Sequence, residues 1–241
     1  MTQNIYDDPK FFAGYSALRR SIEGLAGAPE WPALQALLPP VRGLRVLDLG
    51  CGFGWFCRWA AQEGAAHVCG VDISDNMLAR ARQAGGQAIQ YVKGDLERLR
   101  SPGGRFDLVY SSLAFHYVEN LAGLVITIAG CLVPGGRLVF SVEHPIFTAP
   151  AHPRWSSDED GTPSWPIAGY LIEGARTTNW LAEGVIKRHR LIGTYLDLLI
   201  ERGLTISHVE EWRPTPEQIA AQPELAIELN RPMFLLISAR K

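Results

Sequence analysis

The chain has 241 residues, 47% of them hydrophobic and 20% charged, with a formal net charge of −2. That is enough apolar material for one substantial core, or a core with a cap, and the lack of a basic excess disfavours a polynucleotide partner. No stretch approaches the roughly 18 to 20 uninterrupted apolar residues of a membrane span, and Asp7, Asp8 and Pro9 stand where an export signal needs a basic start and an apolar run. Cys51, Cys57, Cys69 and Cys131 form no CxxC pair and no zinc-ligand spacing. The expectation is a soluble, cytoplasmic protein without a metal.

Residues 11–38 mix apolar and polar side chains at helical spacing and are interrupted by Pro29, Pro32 and the Pro39-Pro40 pair. That predicts two short helices ahead of the first strand. From Arg45 the pattern becomes short apolar runs alternating with helical stretches: strands at 45–49, 67–72, 88–93, 106–111 and 136–143, with helices at 55–63, 77–84 and 121–131. Such alternation produces βαβ units and a parallel sheet. It stops after His144. Residues 145–174 carry five prolines, Trp155, Trp165 and the acidic run Asp158-Glu159-Asp160, the composition of an irregular insertion over a site. Two β-like runs at 175–181 and 185–190, with Gly184 in the gap, predict a hairpin. A helix at 194–201 and strands at 205–211 and 233–239 complete the chain. These breaks divide it into an N-terminal helical cap (1–40), a core (41–144), an inserted lid with its hairpin (145–191), and a C-terminal helix with the last strands (192–241).

The densest signal is Val46-Leu47-Asp48-Leu49-Gly50-Cys51-Gly52-Phe53-Gly54, a buried strand running into glycines just before a helix. Glycine there permits positive φ and lets a ligand lie against bare backbone. The spacing, GxGxG, brings the third glycine one residue early for the dinucleotide fingerprint GxGxxG, and Asp48 stands two residues ahead of the loop. A carboxylate at that place would repel a pyrophosphate. Beside an amino-acid ligand it accepts hydrogen bonds from an ammonium group or orders a water that does. Asp72 ends the second strand, where a carboxylate can hold both hydroxyls of a ribose. Its competing reading is a helix N-cap, a job that Ser74 also fits.

With these residues in place the chain resembles the class I S-adenosylmethionine-dependent methyltransferases of small-molecule type, over about residues 45–143. The resemblance implies a seven-stranded Rossmann-like sheet, mostly parallel with an antiparallel last strand, and S-adenosyl-L-methionine as cofactor. It puts Asp48, Gly50, Gly52 and Gly54 around the methionine end, Asp72 on the ribose, and Ile73 and Met77 beside the adenine. Gly94-Asp95-Leu96 matches the family's adenine-binding acid, which assigns Asp95 and its neighbour Leu96; an ordinary helix cap is the other reading of Asp95. The fourth strand, ending at Ser111, a further expected cofactor contact, and Leu132-Val133-Pro134-Gly135-Gly136-Arg137-Leu138 follow the family's order.

Methyl transfer from a sulfonium needs a nucleophile held in line with the methyl carbon, and a base only where the acceptor is protonated. Candidates gather at the carboxyl ends of the fourth and fifth strands, where open parallel sheets bind ligands. His144, beside Glu143 and just before the insertion, is the expected base, with a plain hydrogen-bonded histidine as its alternative. His116 fits a structural wall as well as a base. Lys187 and His189 share one face of the hairpin, which offers cationic contacts to an acidic substrate if it points inward and is merely solvated if it points outward. Among the flanking aromatic residues, Tyr15 is the one expected to reach the cofactor. The expected function is methyl transfer to O, N or C of a small molecule, by a monomer or homodimer without nucleic acid or membrane. Two other readings remain: an NAD(P)-dependent oxidoreductase on a true Rossmann domain, against which Asp48 and the early glycine argue, and a non-catalytic S-adenosylmethionine-binding protein.

Overall fold

The computed structural model describes residues 2–85, 89–100, 103–157 and 159–241. Ala88, at the start of the expected third strand, and Asp158 of the acidic run lie outside the described residues. Ahead of the first strand stand three α-helices where two are expected: α1 (Pro9–Ser16), α2 (Arg19–Ile22) and α3 (Trp31–Leu37). Asp8 caps α1 by accepting the Phe11 N–H at 2.8 Å, and Pro9 follows it. Pro32 lies in the first turn of α3, where its missing N–H is not needed, so it opens that helix instead of breaking it.

The core then alternates as β1 (Arg45–Leu49), α4 (Trp55–Gln62), β2 (His67–Asp72), α5 (Asp75–Gln83), β3 (Ile89–Lys93), β4 (Phe106–Ser112), α6 (Leu121–Cys131) and β5 (Leu132–Glu143). Next come α7 (Pro145–Thr148), the two-residue strands β6 (Ser156–Ser157) and β7 (Pro163–Ser164), and the hairpin of β8 (Gly174–Trp180) with β9 (Ala182–His189). The chain ends with α8 (Ile192–Ile200), β10 (Thr205–Glu211), α9 (Pro216–Ala221) and β11 (Phe234–Arg240).

Seven strands form the main sheet in the order β10-β11-β5-β4-β1-β2-β3. β1 to β5 pair in parallel, while β11 runs antiparallel to both β5 and β10. The expected sheet, with its antiparallel last strand, is the one found. Alternate side chains of each strand feed two cores. Leu47, Leu49, Val109, Leu138 and Ile237 pack under α6 and α8, and Val46, Val68, Leu108, Tyr110 and Leu236 pack under α3 and α4. Strand order reverses at β1, which has β2 on one side and β4 on the other. A ligand crevice belongs outside the carboxyl ends of those strands.

Several boundaries differ from the sequence reading for local reasons. β5 begins at Leu132, because Pro134-Gly135-Gly136 is absorbed as an irregularity in which Phe106 pairs with Leu132 but Leu108 with Arg137. The hairpin reverses at Leu181, which takes a φ of 61°, so 182–184 are strand and not turn. α9 goes unread, although Thr215 and Gln218 form a capping box around Pro216 and mark it in the sequence. No described helix is long and apolar enough to cross a membrane.

Candidate active site

The loop after β1 is stitched to the end of β2. Gly50 and Cys51 donate their N–H groups to Val71 O at 2.8 and 3.0 Å, and the Gly52 N–H donates to Asp72 Oδ2 at 2.8 Å. A Cβ on Gly50 would stand 2.4 Å from the Ala114 Cβ, so that position admits no side chain where the segment after β4 crosses over it. A Cβ on Gly52 would meet nothing within 4 Å; it would enter the cavity the loop borders. Gly54 opens α4 and packs on Tyr91, away from that cavity's lining.

The cavity measures about 300 Å³. Gly50, Gly52, Asp72, Ile73, Met77, Asp95, Leu96, Tyr15 and His116 all line it, so most of the expected residues are brought together. Ser74, not Asp72, caps α5: its Oγ accepts the Met77 N–H at 3.1 Å. Asp72 Oδ1 in turn accepts the Ser74 N–H at 2.9 Å. Burial raises the Asp72 carboxyl above its ordinary pKa against the pull of these N–H donors. Asp95 caps the turn at Leu96–Arg98 by accepting the Glu97 N–H, its alternative reading, and also lines the cavity.

Asp48 lies beneath the loop, on a smaller cavity of about 100 Å³ that shares Gly50, Gly52, Tyr15 and Arg20 with the first. Cys57 Sγ donates to its Oδ2 at 3.3 Å, and burial pushes the Asp48 carboxyl up to about 7. Ser111 is fully buried and donates to Leu49 O at 2.7 Å, so it ties β4 to β1 and leaves the wall to Ser112.

The segment ahead of α1 covers the Asp95 side of the cavity. Thr2 Oγ1 donates to Asp95 Oδ2 at 2.6 Å. Asp7 Oδ1 accepts from Ser74 Oγ at 2.6 Å and from the Asn76 N–H at 3.1 Å, at the amino end of α5. Gln3 exchanges hydrogen bonds with Gly184 and Ile186 of β9. Tyr6 and Tyr15 meet edge to face at 5.2 Å, and Tyr15 meets Trp180 of the hairpin at 6.4 Å.

At the far end of the cavity the two histidines separate. His144 is absent from the lining. Its Nδ1 accepts the Ile146 N–H at 3.0 Å, which caps α7, and its Nε2 lies 2.9 Å from Glu211 Oε1. Its Nδ1 is spent on the cap and the ring stands outside the cavity lining, so the structure does not bring the expected base to an acceptor. His116 does line the cavity, and its Nδ1 accepts the Glu143 N–H at 3.3 Å. That bond places the proton on Nε2. Burial pushes the imidazole down to about 4, so at neutral pH it is uncharged and, with its proton on Nε2, carries an N–H donor there. The hairpin face of Lys187 and His189 points inward, yet both are engaged. Lys187 Nζ is 2.5 Å from Glu143 Oε1 and 4.8 Å from the Trp180 ring centre, while His189 meets Thr148 Oγ1 and Tyr170 O.

A methyltransferase-domain family matches residues 47–140. A solved S-adenosylmethionine-dependent methyltransferase from Mesorhizobium loti is 59% identical with a TM-score of 0.88, over 90% of this chain and 100% of that one. The chain belongs to the S-adenosylmethionine-dependent methyltransferases. A Haemophilus influenzae protein of uncharacterized function is 34% identical, over 99% of this methyltransferase and 97% of that protein. The malonyl-[acyl-carrier protein] O-methyltransferase of Enterobacter lignolyticus is 40% identical over 109 residues, so the match spans 45% of this chain and 43% of that relative. The cofactor of the methyltransferase is S-adenosyl-L-methionine, and the nicotinamide reading falls away.

The methyltransferase cavity is also lined by residues that sequence reasoning passed over. Arg20 lines both cavities, with its guanidinium 3.0 Å from both Glu30 oxygens. Nothing in Leu18-Arg19-Arg20-Ser21 separates Arg20 from its exposed neighbour Arg19, so no sequence signal points to it. Leu113, next to Ala114 in the cavity wall, holds a φ of 53°, a left-handed conformation unusual for a leucine. The Thr2 to Asp95 bond joins residues 93 apart in the chain, beyond any local pattern.

Proposed function

We propose that the larger cavity holds S-adenosyl-L-methionine with a small methyl acceptor at its His116 and Glu143 end, and that residues 1–40 and 145–191 close it. The observation that carries this reading is the division of one cavity into two chemistries. Gly50, Gly52, Asp72, Ile73, Met77, Asp95 and Leu96 lie at one end, and Phe147, Trp180, His116 and Glu143 line the same space. The residues present fit the cofactor: bare backbone at Gly52 gives it room, and the Asp72 and Asp95 carboxylates supply acceptors for hydroxyl and amino donors.

In this arrangement Asp72 accepts from the ribose hydroxyls while the Gly52 and Ser74 N–H groups fix its carboxylate. Asp95 faces the adenine amino group, and Ile73 and Met77 flank the base. Asp48 and Arg20 border the amino-acid end, one opposite an ammonium and the other opposite a carboxylate. Bound S-adenosyl-L-methionine supplies an electrophilic methyl group on a sulfonium. Tyr15 and Trp180 offer ring surfaces suited to a cation, and the aromatic and N-terminal cover excludes water from the site. Orientation of the acceptor along the transfer axis can supply roughly 7 to 11 kcal/mol of the barrier reduction.

The test is direct. Calorimetry is expected to show S-adenosyl-L-methionine binding, and incubation with a panel of small hydroxyl, amine and carboxylate compounds is expected to release S-adenosylhomocysteine. Cofactor binding with no release across the panel would favour a binding protein without catalysis.

A further inference from the structure

Glu143 and Lys187 form a buried ion pair in the acceptor end of the cavity, and the pair has a specific deficit. The Lys187 ammonium engages Glu143 Oε1 at 2.5 Å and the Trp180 ring at 4.8 Å, while Glu143 Oε2 is buried with no hydrogen-bond partner. A buried carboxylate oxygen without a donor is a group that native structures generally satisfy. Glu143 lines the cavity, and so does His116, whose Nδ1 is held by the Glu143 backbone N–H. His116 therefore presents Nε2–H. The acceptor end offers one unspent acceptor, at the carboxyl end of β5, and one donor, on the turn after β4 that the Glu143 N–H holds beside it.

This inventory discriminates among nucleophiles. A free carboxylate can only accept, and the Lys187 cation that would draw it is already matched by Glu143. A protonated amine could donate to Oε2, but it adds a second cation to a carboxylate that Lys187 already balances and has no lone pair with which to attack. A neutral amine has one lone pair, which a bond from His116 would tie up. A hydroxyl oxygen has two: one accepts from His116 Nε2–H, the other is left to attack, and its proton points to Glu143. The surrounding Phe147, Trp180 and Phe234 side chains give this end flat apolar walls.

Resting on the methyltransferase reading of the same cavity, we propose that Glu143 is a catalytic residue and that the acceptor is the hydroxyl of a small, flat, phenol-like compound, making the protein an O-methyltransferase. The hydroxyl oxygen forms a bond to the methyl carbon as the carbon–sulfur bond breaks with its electron pair going to sulfur. The hydroxyl proton passes to Glu143 Oε2. A sulfonium and a carboxylate become a neutral thioether and a neutral carboxylic acid, and solvent later takes the proton. Lys187 positions the carboxylate, and His116 orients the acceptor oxygen.

The experiment uses the full chain loaded with S-adenosylhomocysteine and three probes, phenol, butylamine and butyrate, followed by ligand-observed NMR. Phenol is expected to bind at least about tenfold more tightly than either other probe, as a single charged hydrogen bond provides. Glu143→Gln is expected to lower turnover of phenol with S-adenosylmethionine about 100-fold, the lower range for loss of proton transfer, with S-adenosylhomocysteine affinity by calorimetry within twofold. Because one unpaired buried charge can unfold a chain, the double variant Glu143→Gln, Lys187→Met removes both charges, and it too is expected to keep cofactor affinity and lose phenol turnover. Preference for butylamine or butyrate, failure of phenol to bind, or full turnover in either variant would overturn the proposal. Failure of the wild type to bind S-adenosylhomocysteine is a different result: it removes the cofactor reading itself, and the acceptor assignment with it.

Discussion

The Gly52 N–H donates to Asp72 Oδ2 at 2.8 Å, so the loop after β1 and the acid at the end of β2 are one unit rather than two facing motifs. Asp72→Ala therefore removes both an anchor of the loop and an acceptor for the ribose. Hydrogen bonds to a charged acceptor contribute about 1.5 to 3 kcal/mol each, so S-adenosyl-L-methionine affinity is expected to fall at least tenfold while far-UV circular dichroism still reports a folded chain. An unchanged dissociation constant by calorimetry would sink the ribose assignment.

Asp48 sets cofactor affinity against stability. Burial raises its carboxyl from 3.8 to about 7, so the folded state holds this proton more tightly than the unfolded state. Stability from this group is full below about pH 4, falls as pH rises toward 7, and is flat above. The displacement corresponds to a loss on the order of 4 kcal/mol. Asp48→Asn is expected to raise the melting temperature of the cofactor-free protein at pH 8, leave it nearly unchanged at pH 4, and weaken S-adenosyl-L-methionine binding. Equal melting temperatures at pH 8 would show that Asp48 is not held near neutrality.

His116 gives a spectroscopic prediction. With its pKa pushed down to about 4 by burial, it is expected to remain neutral at pH 5.5 and to carry its proton on Nε2. Nitrogen-15 shifts of the imidazole report both properties. The sign for stability is opposite to that of Asp48: the unfolded histidine takes up a proton near 6.5 and the folded one does not, so stability drops as pH falls from about 6.5 toward 4. Replacement by Phe is expected to reduce the steepness of acid unfolding over that window.

Arg231 is boxed by three aromatic rings, with its guanidinium carbon 4.4 Å from the centre of Phe147, 5.0 Å from Trp155 and 4.0 Å from Trp165, and it is paired with Glu228 at 3.2 Å. This box pins the insertion to the turn before β11. Arg231→Met leaves a buried carboxylate without its partner and is expected to destabilise the fold by about 2 to 4 kcal/mol, with faster proteolysis within residues 150–170. A protease pattern identical to wild type would mean the insertion is held by other contacts.

The glycine-loop half of the cavity was legible because its pattern is local. A strand, a glycine loop and an acid on the next strand occupy Val46 to Asp72, and the sheet order follows from alternation. The acceptor half was not. His144 and Glu143 are adjacent in sequence, yet backbone pleating and the start of α7 send one into a cap and the other into the cavity. Lys187 meets Glu143 across 44 positions, and Arg20 reaches Glu30 across a proline-bearing turn, so neither pairing leaves a periodic trace. Pro32 misled for a simpler reason: the same residue starts a helix or breaks one, according to which turn it occupies.

The bonds from Thr2 to Asp95, Asp7 to Ser74, and Gln3 to β9 span the Asp95 side of the cavity and the hairpin that bears Trp180 and Lys187. If the cavity holds the cofactor as proposed, release of the spent thioether is expected to speed up when these bonds are removed, with its residence time set by the opening of a short peptide segment as well as by its own contacts. Because Gln3 bonds the hairpin as well, the same opening is expected to loosen it and to couple cofactor exchange to acceptor exchange.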